Sequence, residues 1–89
     1  MRRRPLGKTG LSVTELALGT WGLCGDGYGP VAESEQDKVI DRARALGIAL
    51  FETADSYAAG DMERRLGERL KADDAARIVT KIGTDLDAP

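Results

Sequence analysis

Apolar positions along the chain fall into short extended runs that alternate with stretches of helical spacing. Leu16, Ala17 and Leu18 form a compact apolar run ending at Gly19. Ile48-Ala49-Leu50-Phe51 is a second run, of the kind that suits a strand covered on both faces of a parallel sheet. Ile78 and Val79 begin a third, which runs into Thr80, Lys81 and Ile82. Between the first two, Val39, Ile40, Ala43 and Leu46 fall on one helical face. Between the second and third, Met62, Leu66 and Leu70 stand four apart and predict a second helix.

Local signals mark the ends of these elements. Ser34 predicts the N-cap of the first helix, with Glu35, Gln36 and Asp37 placing acceptors and negative charge in its first turn. Gly47 predicts a left-handed stop. Gly67 inside the second helix costs about 1 kcal/mol relative to Ala, which points to close packing as its reason. Residues 2–6 and 11–13 flank Gly7-Lys8-Thr9-Gly10 and predict a hairpin. Residues 22–33 form a glycine-rich loop, residues 52–60 a polar loop, and residues 84–89 a polar tail expected to fray.

The predicted order is hairpin, strand, helix, strand, helix, strand, with the hairpin over residues 1–14 and βαβαβ over 15–83. Such alternation implies parallel strands and right-handed crossovers, an α/β class. Strand centres near residues 18, 50 and 79 give steps of 32 and 29 residues. A (β/α)₈ barrel has roughly 31 residues per unit. Open doubly wound sheets have similar units, so spacing alone leaves both architectures open.

Composition removes several function classes. Eighty-nine residues allow one small domain or a piece of a larger one. With 42% hydrophobic residues there is enough to bury, and disorder is not expected. Thirteen basic against fifteen acidic residues give a net charge of −2, which argues against a nucleic-acid or membrane binder. Arg2, Arg3 and Arg4 read as a solvated strand end. No apolar run approaches the roughly 18 residues of a membrane helix, and Pro5, Gly7 and Lys8 follow the arginines where a secretory signal would be apolar. The single cysteine, Cys24, has no partner for a disulfide and no base partner in sequence; it reads as an inert thiol in a cytoplasmic protein. Histidine is absent, which excludes a Ser-His or Cys-His nucleophile pair and, with one Cys, a zinc site within this chain.

Three groups fall at the C-terminal ends of the three strands, the edge where α/β folds bind ligands. They are Gly19-Thr20-Trp21, then Glu52 with Tyr57 in the next loop, then Lys81. A lysine ammonium beside a tyrosine favours the phenolate. A carboxylate paired with that lysine keeps it charged and oriented. Such a tyrosine can protonate a developing alkoxide. The bland reading is an ordinary Glu–Lys ion pair with a half-buried Tyr, and Trp21 serves equally as a core cap or a cofactor wall. Gly27-x-Gly29-x-x-Ala32 has the form of a dinucleotide fingerprint, but it begins seven residues beyond Thr20 and contains Pro30. Gly7-Lys8-Thr9 lacks the first glycine of a phosphate loop, which Arg2 replaces, and reads as a turn.

Taken in order, Leu18-Gly19-Thr20-Trp21-Gly22, Phe51-Glu52-Thr53-Ala54-Asp55-Ser56-Tyr57 and Val79-Thr80-Lys81-Ile82-Gly83 resemble the N-terminal part of an aldo-keto reductase. The opening Pro5-Leu6-Gly7-Lys8-Thr9-Gly10-Leu11-Ser12-Val13 and Gly60-Asp61-Met62-Glu63-Arg64-Arg65-Leu66-Gly67 are similar to its bacterial, channel-β-subunit-like branch. The resemblance implies a TIM (β/α)₈ barrel, incomplete in this chain, with the hairpin capping its bottom. It implies NADPH (NADP⁺) as cofactor and a small-molecule aldehyde or ketone as substrate. Tyr57 would be the proton donor, Lys81 would lower its pKa, and Glu52 would pair with Lys81 and approach the nicotinamide ribose. Gly19, Thr20 and Trp21 would lie along the cofactor.

Three positions depart from the family pattern: Glu52 stands in place of Asp, Ala58 in place of Gly, and Met62 in place of Ser. The family's catalytic histidine and its 2′-phosphate contacts lie beyond the third strand. Read as a fragment, the isolated chain is expected to be inactive and marginal or self-associating, because its last strand leaves a sheet edge unpaired. A truncated or degenerate relative acting through cofactor or protein binding is the alternative reading.

Overall fold

Gly7 and Gly10, at φ 53° and 79°, turn the first strand back on the second. A computed structural model describes residues 1–83; the polar tail expected over residues 84–89 lies outside the described residues. Strand β1 (Arg3–Pro5) pairs antiparallel with β2 (Ser12–Thr14), Arg3 facing Thr14 and Pro5 facing Ser12. The Leu6 N–H closes the turn onto the Leu11 carbonyl at 2.8 Å. Thr14 is buried and joins this hairpin to the rest of the chain. Its Oγ1 accepts from the Ala49 N–H at 3.1 Å and donates to the Leu16 carbonyl at 2.8 Å. The hairpin therefore sits at the N-terminal end of the parallel strands.

Those strands are β3 (Leu18–Gly19), β4 (Leu50–Glu52) and β5 (Arg77–Val79), in that spatial order. Leu18 pairs with Phe51 and Gly19 with Glu52; Phe51 pairs onward with Ile78 and Glu52 with Val79. Gly19, Glu52 and Val79 consequently lie abreast at the C-terminal edge. Beyond that edge β5 does not continue through Lys81 as the apolar run predicts. Its partner β4 ends at Glu52; beyond it the Thr53 N–H still reaches the Val79 carbonyl at 2.9 Å, and only a long contact, from the Asp55 N–H to the Lys81 carbonyl at 3.4 Å, follows.

Helices α1 (Glu33–Ala45) and α2 (Asp61–Leu70) pack on this sheet. Phe51, Ile40, Met62 and Leu66 are essentially inaccessible to solvent. Each such side chain contributes roughly 1.5–3 kcal/mol relative to exposure. The α2 stripe of Met62, Leu66 and Leu70 is buried as the spacing predicts. The α1 stripe is buried only in part, at Ile40 and Ala43. Gln36, Ile40 and Ala43 face inward, whereas Val39 and Leu46 are 38% and 56% exposed. With Leu18 and Ile48 these two line a shallow apolar groove beside α1.

The N-terminus of α1 also departs from expectation. Ala32 is the N-cap, no side chain caps it, and Ser34 lies inside the first turn. The buried Gln36 instead donates Nε2 to the Val31 carbonyl at 3.0 Å, fixing the chain as it enters the helix. At the other end Gly47 adopts φ 92°, the left-handed stop that the sequence predicts. Across the helix pair, Arg65 bonds Glu33 at 2.9 Å and Asp37 at 2.7 Å, Arg69 pairs with Asp41, and Arg44 reaches Asp73 at 3.3 Å. This ladder sets the rotation of α2 against α1. No helix among the described residues is long and apolar enough to cross a membrane.

Gly67 corrects a further expectation. It is exposed, and a Cβ placed there meets nothing within 4 Å, so close packing is not its reason. Gly67→Ala in the intact protein should raise stability by about 1 kcal/mol through helix propensity. A higher denaturant midpoint at unchanged slope is the expected result; a lower midpoint would show that the missing side chain matters.

Candidate active site

Glu52 ends β4, and Lys81 follows β5 by two residues, so the parallel register delivers both to one edge. Lys81 Nζ donates to Glu52 Oε1 at 2.9 Å. It also donates to the Tyr57 hydroxyl at 3.0 Å and to the Thr53 carbonyl at 3.0 Å. An ammonium has three protons, and these three contacts use all of them. Lys81 therefore has no proton left for a ligand; what it offers is fixed positive charge. The Tyr57 hydroxyl donates its own proton to Glu52 Oε1 at a longer 3.3 Å. A carboxylate oxygen, an ammonium and a phenol oxygen thus close a triangle, with Nζ 4.8 Å from the centroid of the Tyr57 ring.

The hydrogen bond that Lys81 donates to Glu52, followed by the one it donates to Tyr57, raises the Lys81 pKa above its ordinary value; partial desolvation opposes this. A raised lysine pKa means that the pairing is fully present below the ordinary value of about 10.4 and is lost only as pH climbs through the raised one. Both partners are about half exposed, so solvent screens the pair.

The Gly19-Thr20-Trp21 segment is split in its roles. Thr20 is fully buried: its N–H and its Oγ1 both donate to the Glu52 carbonyl, at 3.1 and 2.9 Å. Its side chain is committed to holding Glu52 and is not free for a ligand. Gly19 stands beside the Glu52 carboxylate; a Cβ there would lie 3.9 Å from Oε2, an ordinary contact. Trp21 is 46% exposed and alone of the three presents a side-chain surface. Tyr28 packs edge-on against it, with ring centroids 5.3 Å apart. Gly27 makes room for the indole, since a Cβ there would fall 2.8 Å from the ring. Cys24 is buried and donates Sγ to the Trp21 carbonyl at 3.0 Å, a structural thiol.

The polar loop after β4 contains a 3₁₀ turn over Tyr57–Gly60 that the composition of the segment does not announce. Ala58 and Ala59 occupy the left-handed region at φ 50° and 54°, followed by Gly60 at φ 96°. Such a conformation costs a non-glycine residue about 1–2 kcal/mol. The resemblance expected glycine at position 58, and the backbone supplies the reason. Asp26 of the glycine-rich loop accepts the Ala58 N–H at 2.8 Å, a contact with no advance signal beyond its place between Gly25 and Gly27. No group of His, Cys, Asp or Glu that could hold a metal ion occurs among the described residues.

The aldo/keto reductase family profile matches residues 15–89. The pyridoxal 4-dehydrogenase of Microbacterium luteolum is 40% identical over 82 residues, covering 91% of this chain and 24% of that protein. An uncharacterized oxidoreductase of Mycobacterium tuberculosis is 44% identical over 70 residues, 75% of this chain and 21% of that protein. The holo form of an aldo-keto reductase from Bacillus halodurans superposes with a TM-score of 0.80 at 32% identity, over 93% of this chain and 26% of that one. The chain spans about a quarter of the length of these relatives.

Two outcomes follow from the site geometry. Ala58→Gly removes the left-handed penalty of about 1–2 kcal/mol but restores some freedom to the unfolded chain, worth about 0.5–1 kcal/mol. A net gain of up to about 1 kcal/mol in thermal or denaturant unfolding is expected, and a loss would contradict the strain assigned to this turn. Lys81, followed by NMR, should titrate above the ordinary lysine value of about 10.4, and Glu52→Gln should lower that midpoint. A midpoint unmoved by Glu52→Gln would rule out the carboxylate as its main cause.

Proposed function

The chain belongs to the aldo/keto reductase family, and we propose that its intact protein is an NADPH-dependent oxidoreductase interconverting aldehydes or ketones with alcohols. We place the chain as the first strands and helices of a (β/α)₈ barrel whose ligand end carries Glu52, Tyr57 and Lys81. The closed triangle of these three polar groups is the observation that carries the reading. The 40% identical relative is a pyridoxal 4-dehydrogenase by name, and dehydrogenation of an alcohol is carbonyl reduction in reverse.

The residues present fit a nicotinamide nucleotide in their chemistry. Glu52 Oε2 is an acceptor free of the Lys81 and Tyr57 contacts, suited to a ribose hydroxyl, and Trp21 offers a half-exposed aromatic surface beside Gly19. Bound there, the nucleotide would supply the hydride to the carbonyl carbon.

The proton is the task of this chain. Tyr57 gives its phenolic proton to the carbonyl oxygen as that oxygen gains negative charge. The donor is poised for this because its present acceptor, at 3.3 Å, is a long one. The phenolate left behind faces the Lys81 ammonium at 3.0 Å and is stabilised by it; a proton from solvent then restores the phenol. Glu52 holds the ammonium charged and aimed, and Thr20 holds Glu52. In the oxidative direction the same phenolate takes the alcohol proton.

The test is NADPH consumption by the intact protein over a panel of aldehydes and ketones. Tyr57→Phe should lower kcat by about 10²–10⁴-fold, the range of one general acid, with little change in NADPH affinity. Undiminished turnover by Tyr57→Phe would sink the assignment. NADPH binding without turnover of any carbonyl would favour the non-catalytic reading instead, to which the strained Ala58 in place of glycine gives some ground.

A further inference from the structure

Asp26 contributes nothing to the triangle, yet it makes a direct side-chain contact between the loop that carries Trp21 and the turn that carries Tyr57. Resting on the reductase reading above, we propose that Asp26 is a positioning residue for Tyr57. Its carboxylate holds a strained turn closed and thereby fixes where the phenol stands.

The turn needs holding. Tyr57 is followed by three left-handed residues, Ala58, Ala59 and Gly60, of which the first two are alanines in a region that disfavours them. Such strain persists only where surrounding contacts over-determine the backbone. Local bonds hold either side: the Tyr57 N–H reaches the Ala54 carbonyl at 3.2 Å, and the Ala59 N–H reaches the Ser56 carbonyl at 3.1 Å. The Ala58 N–H lies between them. Its acceptor comes from 32 residues away, Asp26 Oδ2 at 2.8 Å, a charge-assisted bond shorter than either neighbour.

Asp26 is itself well anchored. Two residues earlier Cys24 is buried in the core, its N–H on the Thr20 carbonyl and its thiol on the Trp21 carbonyl. Gly25, at φ 97°, redirects the chain, and Gly27 lets it pass under the indole of Trp21. The Asp26 backbone is thus set by the core on one side and by the aromatic pair on the other. Through it, the loop flanking Trp21 and the phenol of Tyr57 are built as one unit.

The experiment uses the intact protein with Asp26→Ala, Asp26→Asn and the double variant Asp26→Ala with Ala58→Gly. Amide hydrogen exchange at Ala58 reads the tether directly, and carbonyl reduction with NADPH reads its consequence. A displacement of about 1 Å at a reacting group can cost around a hundredfold. Asp26→Ala should therefore lower kcat between tenfold and a hundredfold, with the KM for NADPH within about twofold of wild type. Ala58 should exchange at least about tenfold faster. Asp26→Asn keeps a carbonyl acceptor and should recover most of kcat. Adding Ala58→Gly to Asp26→Ala should recover part of it, because the turn then needs less restraint.

Unchanged exchange at Ala58 in Asp26→Ala would overturn the tether. An equal loss in Asp26→Asn and Asp26→Ala would overturn the acceptor role, and a loss confined to NADPH affinity would overturn positioning of Tyr57. If the wild-type protein itself reduces no carbonyl, the reductase reading fails, and with it the catalytic consequence. Faster exchange at Ala58 would then still establish the contact.

Discussion

The parallel pairing of Phe51 with Leu18 on one side and Ile78 on the other is the constraint from which the site follows. Phe51 is inaccessible and packs against α1 and α2, so a slip of one residue would drive it out of the core and turn Glu52 inward. Burial of one aromatic ring therefore fixes which face Glu52 occupies. Thr20 then fixes its depth through two bonds to its carbonyl. Lys81 and Tyr57 converge on a carboxylate whose position the sheet and Thr20 set.

The same logic separates the two ends of the sheet. At the N-terminal end Thr14 satisfies the Ala49 N–H, and the hairpin covers an otherwise open strand start. At the C-terminal end strand pairing stops early, and the backbone freed there builds turns. Left-handed residues cluster in those turns, at Gly25, Gly29 and 58–60. The faces beside the sheet are less finished. Ile78 and Val79 are 44% and 47% exposed, although parallel sheets are ordinarily covered on both faces. Leu18, Val39, Leu46 and Ile48 leave an apolar groove alongside α1. In the proposed barrel these are the surfaces that neighbouring strands and helices would cover.

Much of this was legible in the sequence because it rests on period and order. Met62, Leu66 and Leu70 reveal α2 since one face does all its burying, and Gly47 reveals the end of α1 since only its backbone freedom suits that stop. The strand-end groups align from the sequence alone, as parallel strands of similar spacing bring their C-terminal ends together. What escaped was set by tertiary context. Val39 has the right spacing for the core but faces a groove. Ser34 has the right chemistry for a cap, yet Gln36 secures the helix entry by bonding Val31. The bond from Ala58 to Asp26 joins residues with no periodic relation, and alanines carry no sign that they will be left-handed.

Glu52 shows how one methylene can alter a site without breaking it. The resemblance implies aspartate here. Glu52 reaches both Lys81 and the Tyr57 hydroxyl through the single atom Oε1. An aspartate would draw the carboxylate back by roughly 1.5 Å along one carbon–carbon bond. With the backbone held by Thr20, it could keep the lysine only if the long ammonium arm followed, and the 3.3 Å contact to the phenol would open. The longer residue thus adds an acceptor to the proton donor itself. Both contacts on the phenol oxygen involve a charged partner, and the lysine contact is the shorter, at 3.0 Å against 3.3 Å.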